Sequence, residues 1–144
     1  MTSKREDVSA ALLAVLAAAL PSAIVERDAD GAEVVPADGH VVLRDRGPSE
    51  VERTISAITY WHQRTFDIEV YAAATESLDR FEALDAMLIA IDIALAGDRT
   101  IGGSVQSCDW SVDQFEDISN DGAETIRAAL VSLTCEYQTN TPLS

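Results

Sequence analysis

Residues 76–105 read ESLDRFEALDAMLIAIDIALAGDRTIGGSV. Leu78, Phe81, Leu84, Leu88, Ile91 and Leu95 are separated by three, three, four, three and four positions. That is the period of one helical face, and Glu76, Asp79, Glu82, Asp85 and Asp92 fill the others. The spacing predicts a helix over 76–96, with Gly97 as the left-handed residue that ends it. The following GDRTIGGSV has three glycines in nine residues. A glycine loop that cradles phosphate precedes a helix, where free N–H groups and the positive end of the dipole meet the anion. This one follows a helix, and it has neither GK[ST] nor GxGxxG. It reads as a helix stop and a tight turn into a strand.

Strands are expected on both sides of this helix. Downstream, VQSCDW (105–110) is a strand, SVDQFEDISNDG (111–122) an acidic loop and ETIRAALVSLTCEYQT (124–139) a last strand. In that last element Val131, Leu133, Cys135 and Tyr137 share one face. Upstream, Phe66, Ile68 and Val70 alternate with Asp67, Glu69 and Tyr71 inside a β-type region over 51–74. HVVLRDR (40–46) precedes it as a strand and GPSE (47–50) as a turn. SAIVER (22–27) is a short strand, joined onward by a turn-rich loop over 28–39. Residues 4–20 form a first helix, opened by Ser3-Lys4-Arg5-Glu6 as a capping box and closed by Pro21. This order predicts one α+β domain over 1–144, with a mixed, mainly antiparallel sheet and two main helices on one side.

Charge and composition narrow the function. The chain has 144 residues, is 47% hydrophobic and carries a formal charge of −15. It is large enough for a core without metal or disulfide staples. Residues 1–64 hold ten acids and seven bases, and residues 65–144 hold fifteen acids and three bases. No Lys/Arg cluster is present to grip a phosphate backbone, so nucleic-acid binding is not expected. No apolar run approaches the roughly 20 residues of a membrane span. The run VSAALLAVLAAAL (8–20) follows Lys4 and Arg5, as in an export signal, but Glu6 and Asp7 interrupt the basic stretch. It reads as the first helix. Cys108 and Cys135 are expected as reduced thiols, with a bridge between their strands left open.

Catalytic and metal motifs are sparse. DISNDG (117–122) opens like a calcium loop, but position twelve, where a bidentate Glu belongs, is Ala128. His40 and His62 are the only histidines, without HExxH or GxSxG. The acids of 76–96 read as a solvated helix face. No catalytic residue, metal site or cofactor is expected. TYWHQRTF (59–66) gathers Tyr60, Trp61, His62, Arg64 and Phe66, residue types enriched at protein interfaces. This strand is the candidate subunit interface, with a plain sheet core as the other reading.

VVLRD (41–45), TYWHQ (59–63), FDIEVYAA (66–73), RFEALDAMLIAIDIAL (80–95) with DRTIGG (98–103), and RAALVSLTCEYQTNTPL (127–143) follow one another. This succession resembles the tail terminator proteins of long-tailed bacteriophages and gene transfer agents, relatives of the minor tail protein U family. The likeness spans about residues 4–143. It transfers an order of elements, with no residue motif to carry over position by position. It implies a small α+β domain in a homo-oligomer, a six-membered ring at the head-proximal end of the tail tube. Such a ring stops tube polymerisation and joins tube protein to neck or connector protein. DNA passes through without specific binding. The protein would reside in the virion tail or neck after assembly in the host cytoplasm. The acidic excess in 65–144 makes Asp113, Glu116, Asp117 and Asp121 candidates for an acidic lumen or surface. A neck or head-completion protein is the near alternative. A small acidic binding module and a small enzyme using cysteine or carboxylates are the distant ones, and oligomeric size separates them.

Overall fold

The computed structural model describes residues 2–28, 35–54, 58–74, 76–118 and 125–142, the side chains of 48–50 excepted. Helix α1 spans Lys4–Ala19, and the Ser3 hydroxyl accepts the Glu6 N–H at 3.2 Å. The return half of the capping box gives way to a stronger contact. Arg27 donates two hydrogen bonds to the Glu6 carboxylate, at 2.5 and 3.0 Å. A forked, charge-assisted pair outweighs one bond to a backbone N–H. Arg27 holds the Glu6 carboxyl below its ordinary pKa.

Among the described residues five strands form one sheet in the order β1-β2-β3-β5-β4. They are β1 (Ile24–Arg27), β2 (His40–Arg53), β3 (Tyr60–Ala73), β4 (Ser107–Ile118) and β5 (Ile126–Thr139). The β1–β2 pair is parallel and the other three are antiparallel. The expected α+β class and mainly antiparallel mixed sheet are therefore present. Helix α2 spans Ser77–Gly97 between β3 and β4.

Three local expectations are corrected. GPSE does not turn the chain: β2 runs through it with register shifts between Asp45 and Pro48 and between Pro48 and Glu50. A bulge absorbs the glycine and proline that would otherwise break the ladder. The acidic loop is mostly strand, since β4 continues to Ile118. Backbone pairing to β5 supplies the order that its exposed side chains do not advertise. Gly97 is the last helical residue rather than a left-handed cap, and Asp98 follows it in an extended conformation. The left-handed turn positions come later, at Ile101, Gly102 and Gly103.

Both helices pack on one face of the sheet. Val8, Leu12 and Leu16 of α1 join Leu84, Met87, Ile91 and Leu95 of α2 over Val41, Leu43, Phe66, Ile68, Val131 and Leu133. Removing each such side chain from water contributes roughly 1.5–3 kcal/mol. The loop into β2 passes beside α2 in a left-handed conformation that favours glycine, and a side chain there would also have to push the flexible end of Met87 aside. A Cβ on Gly39, whose φ is +95°, would stand 2.5 Å from the Met87 methyl carbon.

Candidate functional site

The aromatic stretch of β3 lies in the middle of the sheet, so strand parity decides its fate. Even-numbered positions face the helices: His62 stands opposite Tyr137, Arg64 opposite Cys135 and Phe66 opposite Leu133. All three are buried. Arg64, 1% exposed, donates to the Asp45 carboxylate, to the Arg5 carbonyl at 2.8 Å and to the Ser9 hydroxyl at 3.4 Å. Its guanidinium carbon lies 4.7 Å from the Phe66 ring centre. This arginine ties α1 to β2 and β3. His62 stacks on Tyr137 with ring centres 5.0 Å apart, and its Nε2 lies 2.7 Å from the Thr139 hydroxyl. Burial pushes the His62 pKa down. Of the five candidate interface residues, only Tyr60 and Trp61 reach solvent, each half-buried. Trp61 borders a shallow hollow of about 280 Å³ with Glu52, Gln63 and Glu136.

A second surface escaped the sequence reading. The two helices cover the sheet from β1 to β5 and the start of β4, and leave the helix-side face of β4 open from Val112 onward. Val112 and Phe115 stand there, just past Trp110, beside Phe81 and Ile89 of α2. Val112, Phe115, Phe81 and Ile89 are 44%, 52%, 43% and 51% exposed. Arg127 lies between two of the rings, its guanidinium carbon 4.3 Å from the Phe81 centre and 5.2 Å from that of Phe115. It is held in turn by Asp117 at 3.3 Å. Further along, Leu88, Ile89, Trp110 and Val112 line a hollow of about 240 Å³. There the Trp110 indole N–H donates to Asp92 at 2.8 Å. The register shift between Val112 and Gln114 hid this strip. It moves the helix-facing side from even positions (108, 110, 112) to odd ones (115, 117), so no single alternation runs through β4.

The candidate acidic residues fall on different sides of β4. Glu116 opposes Ala128 on the open face, whereas Asp117 pairs with Arg127 on the helix side. Asp113 sits at the bulge, and Asp121 lies outside the described residues. On the open face Asp67, Glu69, Tyr71, Gln114 and Glu116 surround a hollow of about 260 Å³. Burial raises the Asp67 pKa against the pull of Arg46, 3.5 Å away, and Asp113 adds to the rise. The Tyr71 hydroxyl donates to Glu69, which also receives Arg44. Burial and that carboxylate push the phenol pKa up.

The GDRTIGG segment is a turn, and it binds itself. The Asp98 carboxylate accepts the Thr100 N–H at 3.0 Å, the Gly102 N–H at 2.9 Å and the Thr100 hydroxyl at 2.5 Å. These bonds, the hydroxyl first, hold its pKa low. Ile101 plugs the turn into the core at 1% exposure. Cys108 and Cys135 are free, buried and directly opposed across β4 and β5. Burial pushes the Cys108 thiol up and the Cys135 thiol up to about 12, which suppresses the reactive thiolate. Among the described residues no group of three or more His, Cys, Asp or Glu side chains is arranged to hold a metal ion. No described helix is long and apolar enough to cross a membrane.

No protein-family model and no curated protein matches the chain. Among solved structures it is similar to a chain of one described as "Virion of native gene transfer agent (GTA) particle". The two are 20% identical, with a TM-score of 0.42 over 85% of this chain and 84% of that one. A likeness of that size bears no weight on function.

Proposed function

We propose that this chain is a structural virion protein of the tail-terminator type. In this reading it forms a ring, six-membered in the family it resembles, on the head-proximal end of the tail tube. The ring stops tube polymerisation and offers its other face to the neck. The succession of sequence elements supports the reading, and one structural observation carries it. The subunit leaves two separate surfaces uncovered, the apolar strip between α2 and β4 and the polar face of the sheet. A closed ring is built from unlike patches that meet head to tail, with a further face free for other partners. The open sheet face, where Asp113 and Glu116 stand beside the paired Asp67–Arg46 and Glu69–Arg44, is then the wall that DNA passes without sticking.

Native mass spectrometry and negative-stain imaging of the purified protein, with and without tail tubes, test the proposal. Ring-sized particles, or density capping one tube end, are expected. Binding to the head connector in place of the tube end would move the assignment to a neck protein. A monomer that leaves both untouched would overturn it.

A further inference from the structure

We propose that Cys108 and Cys135 are a latent dithiol, which an oxidising environment closes into one disulfide that clamps the edge strand β4 to β5. The proposal is independent of the ring reading. These are the chain's two cysteines, so within one molecule no other pairing exists. Antiparallel register sets them directly opposite each other. Opposed residues in such a ladder have Cα atoms about 4.5 or 5.5 Å apart, according to whether the pair exchanges hydrogen bonds. Both spacings fall within the window of roughly 4.4–6.8 Å that a disulfide requires. The two side chains share the helix-side face, at 2% and 0% exposure. They also sense each other: Cys108 is among the groups that raise the Cys135 pKa. Because β4 pairs with β5 alone, it can shift to close the bridge without dragging a second strand.

The surroundings assign the order of events. Cys108 is the second residue of β4, close to the turn after α2. Arg99 donates to its carbonyl at 3.2 Å and pulls the thiol pKa down against the effect of burial. Cys135 lies in β5, between two strands. When the end of β4 opens, the Cys108 thiol loses its proton and its thiolate attacks a low-molecular-weight disulfide such as oxidised glutathione. The S–S bond of that reagent breaks, one thiol leaves and a mixed disulfide remains on Cys108. Cys135 then loses its proton and attacks the Cys108 Sγ, expelling the second thiol. The protein gives up two protons and two electrons, and the reagent takes up both. Burial keeps the thiols inert until β4 opens, so closure is slow and follows the opening of this edge. In a reducing compartment the pair stays open.

The test exposes the full-length protein to oxidised glutathione overnight at about pH 8.5, quenches with acid and counts thiols after unfolding. Intact mass is expected to fall by about 2 Da, and titratable thiols from two to none, with no dimer on a non-reducing gel. The oxidised protein is expected to melt roughly 5–10 °C above the reduced one. Cys135→Ala is expected to stop at one glutathione adduct on Cys108, and the wild-type result stands without that variant. Two persisting thiols, two adducts, or a bridge between molecules would overturn the proposal. Closure without a rise in the melting point would overturn the clamp.

Discussion

Strands β3 and β4 flank the same neighbour, β5, and both pair with it antiparallel along their length. In β3 every second residue from His62 to Ala72 is buried, whereas β4 is exposed along almost all of its length. Hydrogen bonding does not separate them. Cover does: α1 and α2 lie over β3, and neither reaches across β4 beyond its start. Aromatic residues therefore mean different things in the two strands. Phe66, fully buried, holds the domain together. Phe115, half-exposed, contributes less to the fold and keeps half of its ring in water.

The largest expected effect comes from erasing that contrast at a phenylalanine. Phe66→Ala should lower unfolding free energy by roughly 3–5 kcal/mol. Phe115→Ala should lower it by much less, about 1 kcal/mol. Urea denaturation of both variants decides, and equal losses would break the comparison. Next come the ion pairs. Asp45→Ala leaves the buried Arg64 without its carboxylate and should cost about 3 kcal/mol. Asp117→Ala releases Arg127 at an open edge and should cost less than about 1 kcal/mol. Thermal midpoints of the two variants measure the gap.

The smallest effect is a pH dependence confined to the covered half. His62 has a folded-state pKa below its ordinary value near 6.5, so its stability contribution is full above 6.5. It is lost as pH falls through 6.5 towards the lowered value. Wild type should therefore lose more stability than His62→Gln between pH 7.5 and 5.5. Parallel denaturation curves for the two proteins across that range would remove His62 as the cause.

What the sequence revealed follows the same division. Helix α1 and strand β5 were legible because each has one covered face: Val131, Leu133, Cys135 and Tyr137 write a period of two that burial enforces. Strand β4 was legible up to Trp110 and illegible beyond it, where both its faces are wet and its bulge reverses parity at Asp113. The aromatic run at 59–66 was legible as a strand but not in its destination. Parity tells which residues share a face, and only the placement of helices tells which face is covered. The α2 stripe was over-read for the same reason. Leu84, Ile91 and Leu95 are buried, but Leu78 and Phe81 overhang the helix-side core and remain exposed.

The turn after α2 carries a different consequence. Its two N–H groups and one hydroxyl converge on a single negative charge, as in a receptor for a small anion, but the charge is Asp98 from the same chain. The receptor is occupied from the moment the chain folds, because a ligand tethered two residues away acts at a high effective concentration that free phosphate would have to exceed. A glycine-rich loop advertises a vacancy in sequence. Here the aspartate written directly before it had already filled the vacancy.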